Sequence, residues 1–114
     1  MLLYTWEGIE QEAVTPLVRR QVIHTDLVTL ARWQLSKGAL FQEHQHPNEQ
    51  ISMIQSGRMR FRLPNEQREV GPGDILRIPP NTPHSAEVLE DCLALDVFSP
   101  PREDWKRGEL SYVR

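Results

Sequence analysis

The chain reads as an all-β protein, an antiparallel sandwich or barrel, and three observations predict it. Apolar and polar residues alternate over many short stretches, turn signals separate those stretches, and no helical period is sustained beyond about two turns. The nine prolines and six glycines fall between the alternating stretches, where they act as punctuation.

Residues 17–23 and 27–35 are expected to form the first strands, with Thr25-Asp26 between them. In the second, Leu27, Thr29, Ala31, Trp33 and Leu35 share one face, because successive side chains on a strand point to opposite sides. Ser36-Lys37-Gly38 ends it. Residues 50–54 form the next strand, and Gln55-Ser56-Gly57 is expected to turn the chain as a hairpin into residues 58–63, where the two-residue period is cleanest. Pro64-Asn65-Glu66 turns again into a short strand ending at Val70. Gly71-Pro72-Gly73-Asp74 is a strong turn cluster, since glycine supplies positive φ and proline presets its own. Residues 75–78, 85–89 and 92–98 complete the strands, and residues 7–13 or 102–108 could each hold one helical turn.

A chain of 114 residues is one domain, large enough for a hydrophobic core and too small for two. Its 39% apolar and 25% charged residues belong to a folded globular protein, not a disordered one. The net charge of −3, with both signs interspersed, gives no electrostatic footprint for nucleic acid. Arg58, Arg60 and Arg62 alternate with Met59, Phe61 and Leu63, which reads as a solvated strand face. The lone Cys92 has no internal disulfide partner, fits a reducing compartment and is expected to be a small buried hydrophobe. No run approaches the ~20 apolar residues of a membrane span, and no basic-then-apolar signal pattern opens the chain, so a cytoplasmic location without membrane contact is expected.

The chemistry concentrates in His44-Gln-His46-Pro-Asn-Glu-Gln50 and in Ile78-Pro-Pro-Asn-Thr-Pro-His84, which hold three of the four histidines. Three imidazoles and an amide oxygen are neutral donors of borderline softness. They suit one divalent transition metal ion (Zn, Ni, Fe or Mn) better than Ca²⁺ or Mg²⁺, which favour carboxylates and water. His44 and His46 share a face if the segment is a strand, and Gln50 has their parity while Glu49 has the opposite one. His84 arrives from a separate strand behind a proline-rich turn, as a closed site requires. His24 has no partner at ligand spacing and is expected at the surface or as a strand cap.

These residues carry a family resemblance. Gly38, five residues, His44-x-His46, three residues, Gln50, six residues and Gly57 resemble the first cupin motif. Gly73, five residues, Pro79-x-Asn81, two residues and His84 are similar to the second, and the interval of residues 58–72 has the length usual for small cupins. The resemblance implies a single cupin domain over residues 1–114, a jelly-roll β-barrel of antiparallel strands with the metal inside its mouth. The metal-binding core would span about residues 17–98, followed by a tail over 99–114. One departure matters: Gln50 replaces the usual glutamate ligand. That removes a negative charge, leaving the metal a stronger Lewis acid toward an anionic substrate. It also removes the His–His–carboxylate set of non-haem iron oxygenases, which counts against dioxygen chemistry.

The segment from Leu95 to Trp105, with Asp96-Val97-Phe98-Ser99-Pro100 and Arg102, resembles the ending of KdgF-type pectin-degradation proteins, small cupins that open the ring of 4,5-unsaturated uronates. The residues make chemical sense of this. Asp96 and Phe98 share parity with Cys92 and Ala94, and an Asp inside an apolar strand needs either a salt bridge, for example to Arg77, or a catalytic role. Arg102 is expected to offer a bidentate fork to a substrate carboxylate, with Arg77 as the other candidate. The reading is therefore an enzyme that linearises a small-molecule sugar acid, with a metal on His44, His46, Gln50 and His84 and with Asp96, Phe98 and Arg102 as its catalytic residues. The alternative is a metal-binding cupin that binds or senses a small molecule without turnover. A homodimer is expected, because small jelly rolls leave apolar strand faces that associate.

Overall fold

The computed structural model describes residues 2–114. A 3₁₀ turn at Trp6–Gly8 leads into β1 (Glu12–Thr15), β2 (Val18–His24), β3 (Thr29–Leu35), β4 (Leu40–His44), β5 (Glu49–Leu63), β6 (Glu66–Val70), β7 (Ile75–Ile78) and β8 (His84–Ser99), followed by a short helix α1 (Glu103–Lys106). Every pairing between these strands is antiparallel.

Two long strands organise the molecule. β8 pairs with β5 along almost its whole length, from Glu49↔Ser99 to Arg62↔Ser85. Its other edge is divided, with His44↔His84 and Leu40↔Glu87 on β4, then Leu35↔Cys92 through Thr29↔Phe98 on β3. β5 divides its far edge likewise, between β7 (Gln50↔Ile78) and β6 (Met59↔Val70). Two layers result, β1-β2-β3-β8-β5-β7 and β4-β8-β5-β6, which share β5 and β8 where these bend from one layer to the other. This is the expected jelly-roll cupin architecture, built as an open sandwich and not a closed cylinder.

The bend corrects one expectation. Gln55-Ser56-Gly57 is not a hairpin turn, because residues on both sides of it pair with the same strand, β8. The register slips between Ile54 and Met59, which marks an irregular, bulged stretch. Gly57 makes it possible: its φ is +87°, and a Cβ there would lie 2.1 Å from the carbonyl oxygen of Asp91. The two stretches expected as separate strands at 85–89 and 92–98 are likewise one strand, β8.

Alternation places Ala31, Trp33 and Leu35 of β3 in one core with Met59 and Phe61 of β5 and Ala86, Val88 and Phe98 of β8. Each large apolar side chain buried there contributes about 1.5–3 kcal/mol. Arg58, Arg60 and Arg62 lie on the opposite face, with Arg58 near Glu69 and Glu90 and Arg60 near Glu87, so the solvated strand face is as expected. Cys92 is buried and free.

The first strands start later than expected. Leu27 is 75% exposed, in a turn closed by the Thr25 N–H to the Val28 carbonyl (2.8 Å), and β3 begins only at Thr29. Over residues 7–13 the backbone is a 3₁₀ turn and then strand β1, while the helical turn expected over 102–108 is α1. After α1 the chain returns to β4, where the Gln42 N–H donates to the Tyr112 carbonyl (2.7 Å) and Leu40 and Arg114 exchange backbone bonds of 2.8 and 2.7 Å. Among the described residues no helix is long and apolar enough to cross a membrane.

Candidate metal centre

His44 ends β4 and stands opposite His84, the first residue of β8. His46 lies beyond the strand, in the connection to β5, so strand parity is not what brings it to His44. Gln50 sits on β5 opposite Phe98. The structure nevertheless gathers the three histidines, with one ring nitrogen from each lying within 4.8 Å of the others.

Which nitrogens converge follows from the hydrogen bonds. His44 Nδ1 lies 2.7 Å from the Gln42 carbonyl, His46 Nδ1 3.1 Å from that of Asn48, and His84 Nδ1 2.8 Å from that of Thr82. A carbonyl can only accept, so each ring carries its proton on Nδ1 and presents a lone pair on Nε2. His84 Nε2 is buried with no protein partner, a costly state unless something else occupies its lone pair. Gln50 Oε1 is 3.1 Å from His46 Nε2, and the Gln50 amide is oriented by donating from Nε2 to Ser52 Oγ (2.9 Å). Burial disfavours the imidazolium and lowers the His44 pKa to about 3, the His46 pKa to about 4 and that of His84 below its usual range. Neutral imidazoles held with their lone pairs inward fit a divalent transition metal ion.

His44, Gln50 and His84 line an interior cavity together with Asp96, Phe98 and Arg102. Asp96, on β8 opposite Ser52, accepts a hydrogen bond from Trp33 Nε1 at 3.0 Å on Oδ2. Burial raises its pKa from 3.8 to about 6, against the lowering effect of the Ser52 and Trp33 hydrogen bonds and of the Arg102 charge. Phe98 is buried and packs edge-on against His46 at 5.6 Å.

Arg102 is 1% exposed, so it is no surface residue. Its guanidinium lies 4.7 Å from the Phe98 ring centroid and 4.3 Å from that of Trp105. Nε and Nη2 donate to the two oxygens of Asp104 at 2.9 and 2.7 Å, and Nη2 also donates to Tyr112 Oη at 3.1 Å. The fork expected for a substrate carboxylate is thus already occupied, and only Nη1 remains to meet a ligand. Arg77 is excluded from the cavity: it pairs with Glu49 at 2.7 Å and its side chain is 62% exposed. His24 is exposed and bonds Thr29 Oγ1 at 2.7 Å, apart from the cluster.

Trp33, Ser52, Asp104, Trp105 and Tyr112 complete the cavity and its hydrogen bonds without having been singled out in the sequence. Trp33 could have been found, since the β3 alternation already placed it on the inner face. Tyr112 had no signal, because only the return of the tail to β4 sets its ring on His44, at 3.7 Å between centroids and 16° between planes.

Residues 31–98 match the family of cupin domains. Among solved structures, the chain is similar to KdgF from Halomonas sp., at 31% identity and a TM-score of 0.83 over 90% of this chain and 98% of that one. An RmlC-like cupin from Shewanella frigidimarina is 24% identical, with a TM-score of 0.85 over 92% of this chain and 96% of that one. Oxalate decarboxylase from Bacillus subtilis is 19% identical, with a TM-score of 0.76 over 84% of this chain and 28% of that one. These last two likenesses bear on the fold alone. A search of the curated proteins finds no match.

Proposed function

The chain belongs to the cupin family, and from that premise we propose that it is an enzyme opening the ring of a 4,5-unsaturated uronate from pectin or alginate breakdown to a 5-keto-4-deoxyuronate. The observation that carries this reading is a buried carboxyl, Asp96, with a pKa raised to about 6, in the same cavity as the inward-facing histidines. A site that only binds a ligand has no need of such a group, whereas a proton-transfer catalyst works best with a pKa near its operating pH. The likeness to KdgF supports the substrate class.

In this reading His44, His46, Gln50 and His84 hold the ion. When bound, the ion supplies Lewis acidity that offsets negative charge on the sugar-acid oxygens. Trp33 Nε1 and Ser52 orient the Asp96 carboxylate, which takes the proton of the anomeric hydroxyl. As that proton leaves, C1 becomes a carbonyl, the C1–O5 bond breaks and O5 departs as an enol oxygen. Asp96 then returns the proton to C4, and C5 becomes a ketone. Phe98 supplies a flat apolar surface for the sugar, and Arg102 Nη1 a single-point contact for its carboxylate. The cavity is open to one side, and the sugar acid would enter it from that mouth.

The direct test incubates metal-loaded protein with an unsaturated uronate and follows the loss of enol-ether absorbance. The reading expects a rate well above both the spontaneous one and that of chelator-treated protein. No acceleration leaves the binder without turnover as the better reading. A cytoplasmic homodimer completes the proposal; exposed Leu27 and Ile75 offer apolar surface for self-association, and a measured mass of one chain would remove that part.

A further inference from the structure

Tyr112 has a hydroxyl whose bonding capacity is only partly used. A phenol has two acceptor sites and one proton to donate. Both acceptor sites are taken, by Arg102 Nη2 and by Trp105 Nε1, each at 3.1 Å. The phenolic proton has no acceptor among the described residues, and Tyr112 lines the same cavity as His44, Gln50, His84 and Asp96. The position is fixed as well as free. The ring stacks on His44, the Gln42 N–H holds the Tyr112 carbonyl, and a bridge pairs Phe41 with Val113. Two donors pulling on Oη, one of them cationic, polarise the O–H bond toward whatever enters. The hydroxyl's structural role, accepting from Arg102 and Trp105, uses its lone pairs and leaves its proton unused.

We infer that Tyr112 Oη–H is the hydrogen-bond donor to the oxygen that gains negative charge as the substrate opens, a catalytic residue acting on a different atom from Asp96. The inference rests on the ring-opening reading for the identity of that oxygen, which is O5. The C1–O5 bond breaks with its electron pair moving to O5, the anomeric proton goes to Asp96, and Tyr112 keeps its own proton while bonding to O5. No co-reactant is consumed. Preorganised donors of this kind act where charge develops, and so weigh on turnover more than on ground-state binding.

The test compares wild type with Tyr112→Phe, which keeps the stack on His44 and removes the hydroxyl. With unsaturated galacturonate, kcat is expected to fall about 10²-fold while KM stays within about threefold, at unchanged metal content. A second arm needs no turnover: Co²⁺-loaded protein is titrated with azide, an anion small enough for the cavity. Loss of the donor is expected to weaken azide about tenfold. Unchanged kcat together with unchanged azide affinity overturns the inference. A wild type inert toward the uronate, whose azide affinity still drops in the variant, sinks the ring-opening reading and leaves Tyr112 standing as a donor. If the variant melts or loses metal, 3-fluorotyrosine placed at 112 keeps the shape and strengthens the donor. Azide should then bind more tightly, and no change overturns the inference.

Discussion

Replacing Asp96 by asparagine should make the protein more stable and less active at once. The carboxyl is driven from 3.8 to about 6 by its burial, so the folded state holds that proton more tightly than the unfolded chain does. Ionising Asp96 therefore opposes folding, and stability is lost as pH rises from about 4 to about 6 and stays lost above it. The shift is about 2 units at ~1.4 kcal/mol each, or about 3 kcal/mol, which for a chain of this size is ~10 °C in Tm. Asparagine cannot ionise, yet it can still accept the Trp33 Nε1–H bond. The three histidines act in the opposite sense. Their lowered pKa values make the fold gain stability as pH rises toward 6.5, but they do so equally in both proteins and cancel in the difference. Thermal melts of chelator-treated wild type and variant, from about pH 4 to about pH 8, should therefore nearly coincide at the acid end, separate between about pH 4 and about pH 6 and stay apart above it, with the variant higher. In metal-loaded protein, turnover should fall by roughly 10²–10⁴-fold at unchanged metal content. Parallel melting curves would refute the physical claim about Asp96. A well-folded, metal-loaded variant with full turnover would refute the catalytic one.

Gln50→Glu restores a charged ligand and should bind metal more tightly while turning over an anionic substrate more slowly; unchanged or faster turnover contradicts the neutral-ligand reasoning. Arg102→Lys keeps the charge but cannot hold Asp104 and Tyr112 in one plane, so KM should rise about tenfold with kcat within about threefold, read alongside melts because alanine would leave Asp104 unpaired. Gly57→Ala forces a Cβ into the Asp91 backbone at φ +87° and should cost at least about 2 kcal/mol by denaturant melts; a neutral result would mean that the β5 bend tolerates a side chain.

What the sequence made legible follows from where side-chain patterning is strong. β3 and the second half of β5 alternate cleanly because one face is core and the other solvent, and both were visible. β4 escaped notice because its residues are largely exposed, leaving no apolar period, and β1 is a four-residue edge strand. Gln55-Ser56-Gly57 bends the strand where a hairpin is expected, for a physical reason. A glycine with positive φ serves a hairpin or a bulge equally well, and only the shared partner β8 distinguishes them. At the site, the spacing of His44, His46, Gln50 and His84 located the cluster, although His46 reaches it from a loop. Arg102 lines the cavity, but its bonding has no signal in the sequence. Asp104, two residues on, and Tyr112, ten residues on, take up its donors, and no periodicity reports a contact between a helical turn and a returning tail.

The most direct measurement is a proton NMR time course of unsaturated galacturonate in D₂O with metal-loaded and metal-stripped protein. Metal-dependent ring opening with Asp96 as the proton carrier predicts loss of the C4 vinyl signal at a rate set by the loaded protein. It also predicts a 5-keto product carrying one deuteron at C4 on a single face. A vinyl signal that decays at the spontaneous rate in both samples, or a product deuterated on both faces alike, would contradict it.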